Sequence, residues 1–433
     1  MRSTIIKYTI SYFFFYSLWS FVFTQTVFFP PSSLYAGYLL LFVLFLLALV
    51  ESPKKKALTL DKVIWMPFLL YTILGYLISL DGENTLYRIV CVLLLLLAGQ
   101  SLILDYIPKK FIFWSGIFAS VGIFIQFLLP SFYNSFVLPL FTANQDRITS
   151  WIENGYGFSG FYYQLSHADM NLLMAEALIF CFLFQEYKDE NKKRLYLYIS
   201  VILIFLAILL TGKRSFAVMA ILIALMVHIL GKKQIVGIVT ALMVGALVVY
   251  LAVIYFVDHI ADFSENVFLH RLAETVEEIQ YAQDISSGRE DLAKPAMKLF
   301  EENPVFGIGA GNYVKVSHQY TDVHNAYLQV LCEQGLIGLV LMLVPMVYCL
   351  INTISLLRSR VSMHYKTYIK YSLFIQIYFA LYSFTGNTMV NYEVYFIYFL
   401  AIAILINVKS ACLRTRKILS YNYEIPSSMQ QAH

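Results

Sequence analysis

The sequence predicts an all-α polytopic membrane protein, and three observations carry that expectation. Of 433 residues, 59% are hydrophobic and only 13% are charged, about half the ~25% charge usual in soluble domains. Aromatic residues reach 17%, with 35 Phe and 33 Tyr. Apolar runs near the ~20 residues needed to cross a bilayer recur along the chain. A soluble fold of this length has no interior for so much apolar surface. Disorder, collagen, a coiled coil and a nucleic-acid-binding module are excluded on the same grounds.

About twelve spans are expected, near 8–29, 34–51, 63–80, 87–105, 111–132, 168–186, 195–211, 215–230, 235–256, 326–356, 367–385 and 392–408. The division is thus spans 1–9 over 1–256, an external unit over 257–325, spans 10–12 over 326–408 and a cytoplasmic tail over 409–433. The first apolar stretch has no small-residue cleavage site after it and reads as a retained span.

Every second connection is basic. Lys54, Lys55, Lys56 and Lys62 follow span 2, and Lys109 and Lys110 follow span 4. Lys188, Lys192, Lys193 and Arg194 follow span 6, Lys232 and Lys233 follow span 8, and Arg358, Arg360 and Lys366 follow span 10. The positive-inside rule makes these connections, and both termini, cytoplasmic. The five cysteines, Cys91, Cys181, Cys332, Cys349 and Cys412, lie in or beside apolar segments, so neither an external disulfide nor a metal-binding CxxC is expected.

The opposite face carries two long segments, 133–167 and 257–325. The second holds twelve carboxylates against five bases, a net charge of −7. Leu292, Ala296, Leu299 and Phe300 at helical spacing predict an amphipathic helix within it. Glu290 and Asp291 form an adjacent acidic pair, read as solvated surface or as partners for an arginine. No internal repeat of the transporter kind is visible.

One connection departs from the charge pattern. Thr211-Gly212-Lys213-Arg214-Ser215 should be external, yet it carries two adjacent cations. Snorkelling of long side chains toward headgroups accounts for them. The sharper reading is an anion site: a glycine turn sets both cations beside the N-terminus of the next helix, whose N–H groups also favour negative charge. A lipid-linked phosphate is the anion a membrane enzyme's substrate would present there.

Val323-His324-Asn325-Ala326-Tyr327-Leu328-Gln329-Val330-Leu331-Cys332-Glu333-Gln334-Gly335-Leu336-Ile337-Gly338 lies where the acidic unit returns to the membrane. An imidazole at such a junction is neutral near pH 7 and can take a proton from a sugar hydroxyl; an interfacial histidine that only hydrogen-bonds is the competing reading. On a regular helix Gly335 shares the face of His324. Glu333 points the other way, which argues against a direct His–Glu dyad and for a buried polar partner. Gly335 and Gly338 leave room for a neighbouring helix or a lipid tail. Upstream, Ser286-Ser287-Gly288-Arg289 precedes Pro304-Val305-Phe306-Gly307-Ile308-Gly309-Ala310-Gly311-Asn312. With no preceding strand and no GK[ST], these glycines are read as a loop allowing close backbone approach rather than a nucleotide loop. Arg289, a surface residue by default, becomes a bidentate diphosphate clamp if held over a membrane cavity.

Taken in order, "KRS" after a mid-chain span, "SGR" in a long external loop, "NPVFGIGAGN" and "HNAYLQVLCEQGLIG" opening a helix resemble the O-antigen ligase and O-antigen/capsule polymerase superfamily. The likeness covers about 286–340, with agreement at 211–216; elsewhere it is one of hydropathy, including the aromatic "GYGFSGFYYQ" segment before span 6. The resemblance implies an inverting, metal-independent glycosyltransferase of GT-C-like type in the bacterial inner membrane, with its site on the periplasmic side and no cofactor. The donor it implies is an undecaprenyl-diphosphate-linked oligosaccharide. Arg214 and Arg289 would bind the diphosphate, with Lys213 as a less certain fit, and His324 would act as base. Asn325, Glu333 and Gly309 join the expected substrate-binding set. Two arginines neutralising the departing diphosphate could stand in for a metal.

The acceptor divides the superfamily. A lipid-linked repeat unit makes the protein a polymerase, whereas lipid A–core makes it a ligase. The acidic external surface suits a phosphate-rich core poorly, which favours the polymerase. A chain-length regulator protein and membrane lipids are further expected partners; nucleic acid is not. A lipid-linked glycan flippase is the non-enzyme rival, disfavoured by the single long external unit, the missing repeat and the histidine at a loop-to-helix junction.

Overall fold

A computed structural model describes residues 26–28, 43, 60–78, 109–153, 156–230, 289–319, 321–389 and 391–423. The described residues are helical, apart from one isolated antiparallel bridge between Thr26 and Tyr162. The principal helices are α1 (Met66–Ile78), α2 (Lys109–Leu128), α3 (Gln145–Glu153), α4 (Leu165–Leu178), α5 (Asn191–Leu210), α6 (Arg214–Leu230), α7 (Arg289–Glu302), α8 (Tyr313–Ser317), α9 (Ala326–Arg358), α10 (Met363–Tyr382) and α11 (Tyr392–Tyr423). A π-turn at Ile179–Leu183 carries α4 on to Glu186.

Four segments among the described residues are long and apolar enough to cross a membrane: Lys109–Leu128, Leu165–Glu186, Asn191–Leu210 and Ala326–Arg358. Met66–Gly75, Arg214–Val227 and Ile397–Leu413 are shorter apolar helices. Eight of the expected spans thus coincide with helices. Those near 8–29, 34–51, 87–105 and 235–256 lie almost wholly outside the described residues, as does 257–288 of the external unit.

Small residues let the helices approach. A Cβ on Gly116 of α2 would meet the Ala175 Cβ of α4 at 2.2 Å, the close backbone contact that holds helices together where lipid removes the usual hydrophobic drive. Buried polar groups then fix register. Gln376 Nε2 on α10 donates to Thr353 Oγ1 on α9 at 2.8 Å and to Ser372 Oγ at 3.0 Å. Ser372 Oγ in turn donates to the Ala401 carbonyl on α11 at 2.7 Å. In a low-dielectric interior this chain of donors opposes sliding of the three helices, because any slip strands a buried donor.

α9 departs from the expected regular helix. Gly335 has φ 67° and ψ −170°, a non-helical conformation that divides α9 into a short outer part and a long inner one. At 1.5 Å per residue the inner part, Leu336–Arg358, is roughly 35 Å long and sufficient to cross the ~30 Å bilayer core by itself. The outer part, Ala326–Gln334, packs with the glycine loop rather than continuing the inner helix. The glycine loop occupies the break: Ile308 N donates to Cys332 O at 3.0 Å, Gly309 N to Glu333 O at 2.8 Å, and Leu336 N to Pro304 O at 2.9 Å. The Tyr71 hydroxyl of α1 lies 2.8 Å from Gln334 O and 3.2 Å from Phe306 O, closing the junction from the third side.

Candidate active site

His324 stands two residues before α9, at φ 57°. It therefore does not lie on the helix from which its angular relation to Glu333 and Gly335 was reckoned. Left-handed backbone is uncommon for non-glycine residues, though histidine is among those that tolerate it. The position is held from both sides. Asn325 is the N-cap of α9, its Oδ1 accepting from Leu328 N at 3.1 Å. Ala326 N donates to Ser383 O at the end of α10 at 2.8 Å, and the Tyr327 hydroxyl donates to Ala380 O at 2.9 Å.

Three cations act on this imidazole. Partial burial first, and then the charges of Arg289, Lys213 and Arg147, push His324 down to about 4 from its usual 6.5. The ring is consequently neutral at neutral pH and sits in a positive field. Four elements far apart in sequence converge here: α3, the turn before α6, the start of α7 and the loop before α9. Lys213 carries the first helical acceptor of α6, its carbonyl taking the Phe216 N–H at 3.0 Å, and Arg214 is the first helical residue.

The turn that presents Lys213 is built by a neighbour. Gly212 has φ 70°, and Phe158 N donates to Leu210 O at 3.0 Å. A Cβ on Gly157 would meet the Thr211 carbonyl oxygen at 2.0 Å, so the aromatic segment before α4 lies directly against this turn. From inside α4, the fully buried Asp169 accepts from Thr211 Oγ1 at 2.8 Å, and Thr211 Oγ1 lies 3.4 Å from Lys213 N as acceptor.

The remaining expected residues are held by hydrogen bonds within the loop and α9. Glu333 is fully buried, and its Oε1 accepts from Tyr313 N and Gln329 Nε2, both at 3.3 Å. Gln329 Nε2 also donates to Asp322 Oδ1 at 2.8 Å, so one amide bridges two carboxylates across the loop. Gly309 commits its N–H to α9, and the close approach allowed by the glycine loop is to α9. A Cβ on Gly307 would meet the Glu333 carbonyl carbon at 2.3 Å, and one on Gly335 the Val305 oxygen at 2.2 Å. Leu292 and Ala296 of α7 are buried, as their spacing required. Glu290 pairs with Lys294 at 3.1 Å on its exposed side.

Sequence reading missed two residues. Arg147, exposed on α3 with its guanidinium 5.3 Å from the Trp151 ring, lies like Lys213 in a connection expected to be external and was findable by the same departure from the charge pattern. Asp169 is a carboxylate inside an apolar helix, a functional candidate by default.

Residues 199–343 match the family model described as O-antigen ligase. No curated protein matches the chain. The matched region contains Lys213, Arg214, Arg289, Gly309, His324, Asn325 and Glu333, while Arg147 and Asp169 precede it. The match covers about a third of the chain and is consistent with the O-antigen ligase and polymerase superfamily.

Proposed function

We propose that the protein is an inverting surface-polysaccharide polymerase that transfers a glycan from undecaprenyl diphosphate to a sugar hydroxyl of a second lipid-linked repeat unit. The observation that carries this reading is the convergence of Arg289, Lys213 and Arg147 on a neutral His324. The cations suit a diphosphate, and a neutral imidazole can accept a proton.

The acceptor oxygen attacks the anomeric carbon on the face opposite the diphosphate. A carbon–oxygen bond forms as the bond to the leaving phosphate breaks, with inversion. The hydroxyl proton passes to His324, and the bonding pair leaves on the diphosphate, whose charge Arg289, Arg214 and Lys213 neutralise. An imidazole near 4 is a weak base. Burial is the larger cause of that depression; diphosphate binding offsets the part due to Arg289, Lys213 and Arg147, so His324 becomes more basic once the donor is seated. Asn325 retains its side-chain NH2 for an acceptor oxygen, Glu333 and Gly309 act by holding the loop, and no cofactor is required.

The test supplies one defined lipid-linked repeat to purified protein, with and without lipid A–core, and sizes the products. Chain growth without lipid A–core, lost in His324→Ala, supports the polymerase. Transfer only to lipid A–core establishes the ligase instead, and lipid translocation that survives His324→Ala establishes a flippase.

A further inference from the structure

A second polar cavity lies at the other end of α9. Its volume is about 420 Å³, and it opens between the C-terminus of α9, the start of α10 and the middle of α11. Ser359, Arg360, Ser362, Tyr365 and Lys409 supply its polar wall, and none of the described residues that line it is a carboxylate. Leu356, Val361 and Leu413 form its apolar side. Leu413 is 54% exposed, and Ile351, one turn along α9, is 61% exposed, so the apolar wall continues onto an outward-facing surface.

Physical chemistry restricts the occupant. Two cations and several hydroxyls, with no acid among the described lining residues, suit an anion with many oxygen acceptors. Ser362 is the N-cap residue of α10 but makes no side-chain cap hydrogen bond, so the first-turn N–H groups of α10 add donors of the same kind. Lys409 is steadied by the Tyr348 ring, 5.8 Å from its ammonium. The apolar flank calls for a ligand that also carries hydrocarbon. The inner part of α9, roughly 35 Å by helical rise, lies between the cavity and the Gly335 break on the His324 side, and the basic rim (Arg358, Arg360, Lys366) belongs to a connection whose charge assigns it to the cytoplasmic side. The cavity is therefore separate from the glycan site.

We propose that this cavity binds the phosphate-bearing headgroup of an anionic phospholipid, with Arg360 and Lys409 on the phosphate and an acyl chain along Leu356 and Leu413. Occupancy ties the C-terminus of α9 to the start of α10 and the middle of α11, and anchors the inner end of the helix that His324 precedes.

The full-length protein in detergent provides the test, by native mass spectrometry and thermal unfolding with added phosphatidylglycerol, phosphatidylcholine or inorganic phosphate. Phosphatidylglycerol is expected to be retained and to raise the unfolding midpoint by about 4 °C, with no such effect from phosphatidylcholine. Arg360→Gln, on an exposed loop, should weaken retention about tenfold, and adding Lys409→Gln should abolish the site-specific lipid. His324→Ala should retain the lipid fully, so failure of the polymerase reading leaves this result untouched. Unchanged phosphatidylglycerol retention in Arg360→Gln and in the double variant overturns the proposal. Equal protection by inorganic phosphate alone also overturns it, by making the occupant a soluble anion.

Discussion

Gly335→Ala tests whether the interlock between the glycine loop and α9 is what sets the outer site. Gly335 sits at φ 67°, ψ −170°, in a region that is essentially restricted to glycine and costs other residues about 1–3 kcal/mol. The added Cβ would lie 2.2 Å from Val305 O and 2.6 Å from Phe306 N. Both are backbone atoms that no rotamer change can move. Relief requires the loop to withdraw, with loss of the bonds from Leu336 N to Pro304 O (2.9 Å) and from Ile337 N to Val305 O (3.4 Å). At about 1 kcal/mol each, the total cost is roughly 3–5 kcal/mol, a large share of the ~5–15 kcal/mol that stabilises a native protein. The unfolding midpoint in detergent should fall by roughly 5–10 °C, and glycan transfer by more than tenfold, because the same loop leads to Asp322 and His324. Gly75→Ala is the control: it is helical, and its Cβ would meet Ala310 Cβ at 3.3 Å, so its effect should stay within about 1 kcal/mol. If the Gly335 and Gly75 variants unfold at the same temperature, the interlock is not the organising contact and the reasoning fails.

Three further outcomes are expected. His324→Gly should be more stable than His324→Ala by about 1 kcal/mol, since only glycine accepts φ 57° without strain, while neither transfers glycan; equal midpoints would show that the left-handed backbone carries no cost. Thr211→Val removes the hydroxyl that donates to buried Asp169 at 2.8 Å and should cost about 1–3 kcal/mol in thermal unfolding, with a raised KM from a displaced Lys213; a neutral substitution would refute the link. Because His324 has a folded pKa near 4 against 6.5 unfolded, the unfolded chain binds the proton first on acidification. Its contribution is full above about pH 6.5 and is lost as pH falls toward 4. Arg147→Ala and Arg289→Ala should both narrow that window by raising the histidine pKa, as followed by NMR of labelled histidine, and an unmoved resonance would exclude their charges from the site.

Which parts were legible follows from the kind of signal each residue left. Apolar length located eight helices that the structure shows, and the 3.6-residue spacing of Leu292 and Ala296 gave the buried face of α7. Lys213 and Arg214 stood out because they broke an otherwise regular charge pattern. Arg147 broke it too, but alone in a long segment, where a single cation is unremarkable. Asn325 and Glu333 were legible from the stretch that begins at His324, and Gly309 from the glycine loop upstream of it. Their hydrogen bonds, from Leu328 N to Asn325, from Gly309 N to α9, and from Tyr313 N and Gln329 to Glu333, were not legible, because they join segments apart in sequence.

The sequence by itself determined the solvent: a chain with 13% charge and 59% apolar residues must bury its backbone in helices within lipid, since there each unpaired N–H and C=O costs several kcal/mol. It also determined that cations stand on a side where the charge pattern excludes them. Tertiary structure alone decided that Arg147, Lys213 and Arg289 share one imidazole, because convergence of segments 66 to 142 residues apart follows from packing rather than periodicity. It also decided that α9 breaks at Gly335. A glycine within an apolar helical run carries no local instruction to turn; the loop that docks against it supplies the hydrogen bonds that make the break favourable.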